Sequence, residues 1–447
     1  EIINSIEIIK ERIFQTESHY SDNKESFYEP IMRYHAIPQA IQAFANAEGG
    51  FLYIGVKDDA PPEEKIVGLD EDRKIAGELS GDNLGEGLIK ELKKVIRNLE
   101  IYGVGGEKMI SQGLKPIFDI KTLSIMGIFE VITKIPKIIK LLKLAKNKII
   151  EIKPDIVVTI DSPGFNFRLQ KSIKNLKLKR VHYVAPSVWA WKSYRAKRIS
   201  KFLDHLLVLY PFEKKYFTVH GLNTTFIGHP IAFDHKYKDN DYFYENTLKD
   251  KSLLKIGVLP GSRLSEIDKL VPIFIKSAHL INSNYENVRF YIITTKSFKS
   301  KIDKLFSATE LNYYITDDQN EKYNIFSNID FALCASGTVS IELAKASTPM
   351  LVVYKLNIVT WYIVKTLATV KTATILNILL KEKFIPELFQ NSVNEDNIFK
   401  IIKNYINNSN IRANQIKKLT KDINELKNSK GNPSEIAVIE ILKLLKV

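Results

Sequence analysis

Cysteine is almost missing from this chain: Cys334 is the only one in 447 residues. An internal disulfide and a cysteine-cluster metal site are excluded, and a reducing compartment is expected. Long apolar runs are also missing. None reaches the roughly 18–20 residues that a membrane-spanning helix needs. The first residues, Glu1-Ile2-Ile3-Asn4, have no basic head leading into a long apolar centre, so no secretory signal is expected in them. A start on Glu reads as a fragment or a processed form. The Gly-x-x-x-x-Gly-Lys phosphate loop, the His-Glu-x-x-His zinc helix and the Gly-x-Ser-x-Gly elbow are all absent. His182, His229 and His235 lack metal-ligand spacing. Asp70-Glu71-Asp72 and Asp239-Asn240-Asp241 match an Asp-x-Asp spacing, but both lie in charged linkers, so no metal site is expected.

What is present is ordinary globular composition: 45% hydrophobic and 26% charged residues. The length calls for two or three domains, each with its own core. A net charge of +14 suits nucleic acid, anionic lipid or a phosphorylated ligand. The chain is rich in Lys, Ile and Asn throughout, so where the lysines sit says more than their number.

Periodicity divides the chain into a small N-terminal α/β segment (1–70), an alternating strand–helix region (71–233), a polar and aromatic linker (234–252), a second alternating region (253–394) and a Lys-rich helical tail (395–447). Strands are expected at Glu100–Val104, Ile156–Ile160, Arg180–Val184 and His205–Leu209. In the second region they are expected at Lys255–Pro260, Arg289–Thr294, Asp330–Cys334 and, as the last of the sheet, Met350–Tyr354. Such alternation predicts an α/β fold of two doubly wound Rossmann-like domains with a cleft between them.

Five stretches carry candidate chemistry. Ile156–Ile160 runs into Asp161-Ser162-Pro163-Gly164, which places a carboxylate at a strand's carboxyl end, where open parallel sheets bind ligands. Asp161 is then a base or simply a helix cap, and the local pattern favours neither. Leu259-Pro260-Gly261-Ser262-Arg263 joins a buried strand to a helix start, a place suited to phosphate, with Arg263 adding a forked cation. Ala335-Ser336-Gly337-Thr338, with Glu342 beyond it, repeats the strand-to-helix pattern with small hydroxyl residues. Ala76–Gly85, containing Gly77, Glu78, Ser80, Gly81 and Asp82, reads as a loop before a helix that lets a ligand approach closely. In 125–149, Lys134, Lys137, Lys140 and Lys143 recur among Ile and Leu after Met126, Ile128 and Phe129. This is the composition of a helix lying in a lipid headgroup layer, although a plain amphipathic core helix is the commoner case.

Taken in order, these stretches resemble the lipid-A-disaccharide synthase family over residues 75–447. The likeness is carried by Ala76–Asp82, Met126-Gly127 with Glu130-Val131, Ile160–Pro163 with Phe165-Asn166, and His182–Trp191 with its Pro-Ser-Val-Trp-Ala-Trp run. It continues through Pro211-Phe212-Glu213, Ile227–Pro230, Leu259–Arg263 with Glu266, Ala335–Thr338 with Glu342, Pro349-Met350 with Tyr354, and Leu376-Asn377. The resemblance implies a GT-B glycosyltransferase of lipopolysaccharide biosynthesis, peripheral on the cytoplasmic face of the inner membrane of a Gram-negative bacterium. It implies UDP-2,3-diacylglucosamine as donor, 2,3-diacylglucosamine 1-phosphate (lipid X) as acceptor, inversion, release of UDP, and no metal or other cofactor.

The same resemblance assigns roles. Asp161 becomes the base and Arg263 the essential arginine. Gly261, Ser262, Ser336, Gly337, Thr338, Glu342 and Asn377 fall on the donor side, the Ala76–Asp82 stretch falls on the acceptor side, and, because both substrates carry acyl chains, Met126, Ile128, Phe129, Lys134, Lys137 and Lys140 become membrane contacts. A homo-oligomer is compatible with this picture. The family has Pro before the Asn where this chain has Leu376. It also has an apolar strand where this chain has Asp70-Glu71-Asp72-Arg73-Lys74, which cannot be a buried strand. Residues 26–70 instead resemble part of a Schlafen/AlbA-type nucleic-acid-binding module, through Ala43–Gly50 and Ile54–Asp59. A nucleic-acid-binding module fused to an inactive transferase is therefore the competing reading. The lack of a dense Arg/Lys patch in 36–59 weighs against it and against nucleic acid as a partner. The Pro-Ser-Val-Trp-Ala-Trp run disfavours the GT-B enzyme that makes peptidoglycan's lipid-linked disaccharide.

Overall fold

A computed structural model of the chain describes residues 71–97, 99–120, 128–190, 193–233, 244–335, 337–356, 361, 365–366, 370 and 372–445, without the side chains of 71–80, 128–135 and 245–246. The expected N-terminal α/β segment, Met126, Ser336 and the first part of the expected linker lie outside these residues, as do the side chains of Ile128, Phe129 and Lys134. The chain divides into two compact units. One holds 71–86, 100–155 and 159–178 of the described residues, and the other holds 87–99, 156–158 and 179 onward.

Helix α1 (Glu71–Val95) corrects an expectation. The Ala76–Gly85 stretch, with Gly77, Glu78, Ser80, Gly81 and Asp82, is helical rather than a loop. The charged residues Glu71-Asp72-Arg73-Lys74 begin a helix that runs through the stretch and absorbs its glycines at about 1 kcal/mol each. The small residues do allow close approach, but of the protein itself: a Cβ on Gly85 would collide with the Met109 thioether. Strand β1 (Tyr102–Gly103), helix α2 (Glu107–Ser111) and β2 (Lys115–Pro116) follow. The expected strand Glu100–Val104 shrinks to two residues paired in parallel with β2, because glycines at 103, 105 and 106 offer no side chains to pack. Helix α3 (Ile128–Ile152) contains Pro136.

Next come β3 (Ile156–Ile160), α4 (Pro163–Ser172), β4 (Lys179–Tyr183), α5 (Arg195–Ile199), β5 (His205–Val208), α6 (Lys214–Thr218), β6 (Asn223–Phe226) and α7 (Pro230–Phe233). Their sheet has the order β3-β4-β5-β6. Strand β6 escaped the sequence reading because Asn223-Thr224-Thr225-Phe226 carries little apolar signal.

Part of the expected linker is structured. Tyr244–Leu248 forms a π-helical turn, Leu248 is fully buried in the core, and the Tyr291 hydroxyl donates to the Thr247 carbonyl at 2.8 Å. Then β7 (Leu254–Leu259), α8 (Leu264–Asn284), β8 (Val288–Ile293), α9 (Lys296–Phe306), β9 (Tyr313–Thr316), α10 (Gln319–Asn328), β10 (Phe331–Ala335), α11 (Val339–Lys345) and β11 (Met350–Tyr354) alternate. After α12 (Ile375–Leu379) comes β12 (Glu387–Phe389), so Met350–Tyr354 is not the last strand. β12 is three half-buried residues at the sheet's edge, too short for its pattern to show in sequence.

The sheet order is β12-β11-β10-β7-β8-β9. Every residue of β10 is buried, the continuous apolar reading that a parallel strand covered on both faces requires. One face packs on Phe274, Ile281, Ile398 and Ile402, the other on Phe326, Ile341, Leu343 and Leu419. Each such fully buried side chain contributes about 1.5–3 kcal/mol. The tail is helical as read: α13 (Glu395–Asn407), α14 (Ser409–Glu425) and α15 (Pro433–Leu445). Asn394 and Asn408 cap the first two of these. Among the described residues no helix is long and apolar enough to cross a membrane.

Candidate active site

Within the six-stranded sheet the chain starts at β7, builds β8 and β9 to one side, then crosses to build β10 to β12 on the other. The switch point therefore lies between β7 and β10, where doubly wound sheets open a crevice for a ligand. Both turns singled out in the sequence leave these two strands. Leu259 pairs with Cys334, and a Cβ on Gly261 would lie 3.3 Å from the Ala335 Cβ.

The first turn needs a glycine, because Gly261 has φ +102°, outside the range L side chains accept, and a Cβ there would strike the Glu266 carboxylate. Arg263 stands at the N-cap of α8 in extended geometry, and its Nη1 donates to Glu266 Oε1 at 2.8 Å. Glu266, in the first turn of the helix, thus fixes the guanidinium. In the second turn Ser340 Oγ donates to the Gly337 carbonyl at 2.8 Å, and Thr338 is the N-cap residue of α11.

Glu342 lies on α11, and its Oε1 accepts from Lys322 Nζ at 2.7 Å and from the Tyr323 hydroxyl at 3.4 Å. Lys322 sits over the rings of Tyr323 and Phe326, so a largely buried cation fixes this carboxylate. Nothing in the sequence marks Lys322, which reads as one more lysine on an amphipathic helix. Asn377 is buried. Its Oδ1 accepts from the Phe384 and Ile385 amides at 3.1 and 3.0 Å, and its Nδ2 donates to the Ile385 carbonyl at 3.0 Å. It latches the backbone of 384–385.

Asp161 follows β3 directly. It and Ser162 have φ of +49° and +46°, two consecutive non-glycine residues in the left-handed region. That geometry costs about 1–2 kcal/mol per residue and tends to persist where function requires it. Burial pushes the Asp161 carboxyl above the usual carboxylate range, partly opposed by the Ser162 amide. Asn166 Nδ2 donates to the Ile160 and Asp161 carbonyls at 3.1 and 2.7 Å. Asp82 is buried and accepts from the Lys108 and Met109 amides at 3.0 Å each, capping α2.

Three further motifs meet beyond β4, β5 and β6. Trp189 meets Phe212 edge-on at 5.5 Å, Phe212 stacks on Tyr210 at 5.7 Å, and Tyr210 lies 5.5 Å from His229. Buried Glu213 ties this cluster together. Its carboxylate accepts from Trp189 Nε1 and the Tyr210 amide, both at 3.2 Å, and desolvation pushes its pKa up to about 8. Desolvation also lowers His229 to about 4.

On α3, Lys137, Lys140 and Lys143 are exposed beside the exposed apolar residues Ile139, Leu144 and Ile150, while Ile138, Ala145 and Ile149 are buried. Among the described residues no three His, Cys, Asp or Glu side chains form a group that could hold a metal.

Comparison with known proteins agrees over most of the chain. The family description "Lipid-A-disaccharide synthetase" matches residues 74–441, and "Schlafen, AlbA_2" matches residues 17–106, so the two overlap at 74–106. The lipid-A-disaccharide synthase of Hydrogenovibrio crunogenus is 32% identical over 377 residues, covering 83% of this chain and 99% of its own. That of Rickettsia prowazekii is 36% identical over 368 residues, covering 81% and 96%. Among solved structures, S. aureus MnaA with UDP matches at TM-score 0.56 and 15% identity, covering 82% of this chain and 94% of that one. The UDP-GlcNAc 2-epimerase of Neisseria meningitidis matches at 0.52 and 13%, covering 81% and 97%. At such identity the structures speak for the α/β fold of the GT-B class alone. The sequence matches go further: this chain belongs to the lipid-A-disaccharide synthase family, hexosyltransferases of lipid A biosynthesis.

Proposed function

We propose that the chain transfers a 2,3-diacylglucosaminyl group from UDP-2,3-diacylglucosamine to the 6-hydroxyl of 2,3-diacylglucosamine 1-phosphate, with inversion, releasing UDP. The observation that supports it most is the pair of small-residue turns at the β7/β10 switch point, in a chain whose relatives are named for this disaccharide. Residues 253–394 form the donor domain and 71–233 the acceptor domain.

In this reading the acceptor hydroxyl loses its proton as it attacks the anomeric carbon, and Asp161 takes that proton. Its raised pKa favours this role by making the carboxylate a stronger base. The sugar's bond to the diphosphate breaks, and the charge left on UDP is met by Arg263 and the first amides of α8. Gly261 keeps the backbone open to the diphosphate. Glu342 binds the donor, and Asn377 acts indirectly through the loop it latches. The family resemblance puts Ser336, Gly337 and Thr338 on the donor side. Asp82 acts on the acceptor side through the α1–α2 packing it holds. The absence of a metal requirement and the cytoplasmic face of the inner membrane as location come from the family resemblance. The exposed lysines and apolar residues of α3 suit that surface.

Purified full-length protein is expected to release UDP from UDP-2,3-diacylglucosamine only when lipid X is added, and to keep doing so in EDTA. UDP release independent of lipid X would defeat the acceptor assignment, and loss in EDTA restored by a divalent cation would defeat the metal-free reaction.

A further inference from the structure

The turn that presents Asp161 is held in an unfavourable conformation, and the Asn166 side chain bonds across it. Ser162 occupies the N-cap of α4 in left-handed geometry, at φ 46° and ψ 56°, and makes no side-chain cap. Pro163 follows at the first helical position, where its fixed φ suits the helix. Contacts from further along also bind the backbone leaving β3, and Asn166, in the first turn of α4, supplies two of them. Its amide group reaches back to two consecutive carbonyls, those of Ile160 and Asp161, at 3.1 and 2.7 Å. The backbone amide of Asn166 meanwhile donates to the Ser162 carbonyl at 3.1 Å. Both faces of the turn are thus tied to one residue.

We propose that Asn166 is a positioning residue for the transfer reaction: its carboxamide clamps the β3–α4 turn in its doubly left-handed form and so fixes where the Asp161 carboxylate stands. This rests on Asp161 being the base. The chemistry selects Asn. Its side chain carries two N–H donors within one short amide, enough for two carbonyls at once. Asp has the same size and no donor when ionised, so it sets a negative charge against two carbonyl oxygens. Gln has the donors one methylene too far out. Released from the clamp, Asp161 and Ser162 relax toward negative φ, and the carboxylate swings away and gains water.

The test uses full-length protein with Asn166→Ala, Asn166→Asp and the double variant Asn166→Ala/Ser162→Gly. Steady-state rates are read against pH, alongside UDP affinity and thermal midpoint. Both single variants are expected to lose about 100-fold in kcat, the scale of an ångström-sized misplacement. Donor KM and UDP affinity should hold within about twofold, and the acid limb of the rate profile should move to lower pH as Asp161 is hydrated. Glycine enters the left-handed region freely, so the double variant should recover part of the loss. Should Asn166→Ala collapse on purification, Asn166→Asp, which keeps the volume, and the double variant carry the test. A kcat within twofold of wild type in either single variant, or an unmoved acid limb, overturns the positioning role. Asp161→Asn decides the underlying assignment separately. If it retains full turnover the base reading fails. If it is inactive while the Asn166 variants are unimpaired, only the positioning role fails.

Discussion

Two strand-to-helix turns in this protein reach unusual backbone geometry by different means. After β7 the chain places glycine at the left-handed position, Gly261 at φ +102°, and leaves the charged group, Arg263, in relaxed extended geometry two residues on. After β3 the left-handed positions fall on Asp161 and Ser162 themselves. A site that offers backbone amides and a long, reaching guanidinium can use glycine for the bend, because the bend need carry no side chain. A site that offers a short carboxylate at the strand's very end has no such freedom. If Asp161 is the base, as proposed, the functional side chain and the strained backbone belong to one residue, and Asn166 is the neighbour that bonds its carbonyl.

Substitutions can break or sharpen this contrast. The largest effect is expected at the relaxed turn's charge: Arg263→Ala should lower kcat by about 10²–10³-fold, as loss of a donor to developing charge does elsewhere, with folding intact. Next, Gly261→Ala should cost about 2 kcal/mol of stability, because alanine at that φ is strained and its methyl collides with Glu266; a denaturant titration reads this. If Gly261→Ala were neutral, the turn would not depend on glycine and the contrast would weaken.

Glu213 comes third. Its pKa is raised from 4.5 to about 8, so its contribution to stability is whole below about 4.5 and is lost as pH climbs through about 8. Wild-type stability should therefore fall between pH 5 and 9 by at least about 1 kcal/mol more than that of Glu213→Gln, followed by melting at each pH.

These features differ in how far the sequence exposes them. The run Leu259–Pro260–Gly261–Ser262–Arg263 is legible because a doubly buried strand is a continuous apolar run and only a few residue types can make the bend after it. Ile156–Ile160 ending in Asp161 is legible as an apolar, β-branched run too, although in β3 only Thr159 is buried. β12 and β6 are hidden because short or polar edge strands carry almost no pattern. Ala76–Gly85 misleads because its small residues suit a loop in a chain that has an apolar strand before it, and here they continue a helix from Glu71. Lys322 could not be found, since its role exists only through a partner 20 residues away on another helix. Asn166 stands in a motif, but its work of bonding carbonyls five and six residues back depends on dihedral angles that no spacing rule reports.

The most direct measurement compares wild type and Asp161→Asn in lipid-X-dependent release of UDP, with UDP affinity measured on the same samples. The variant is expected to bind UDP as wild type does, to lose about 10²–10⁴-fold in kcat, and, having no partly desolvated carboxylate to ionise, to melt at least as high at pH 7. Turnover at the wild-type rate would contradict the placement of the base at the end of β3.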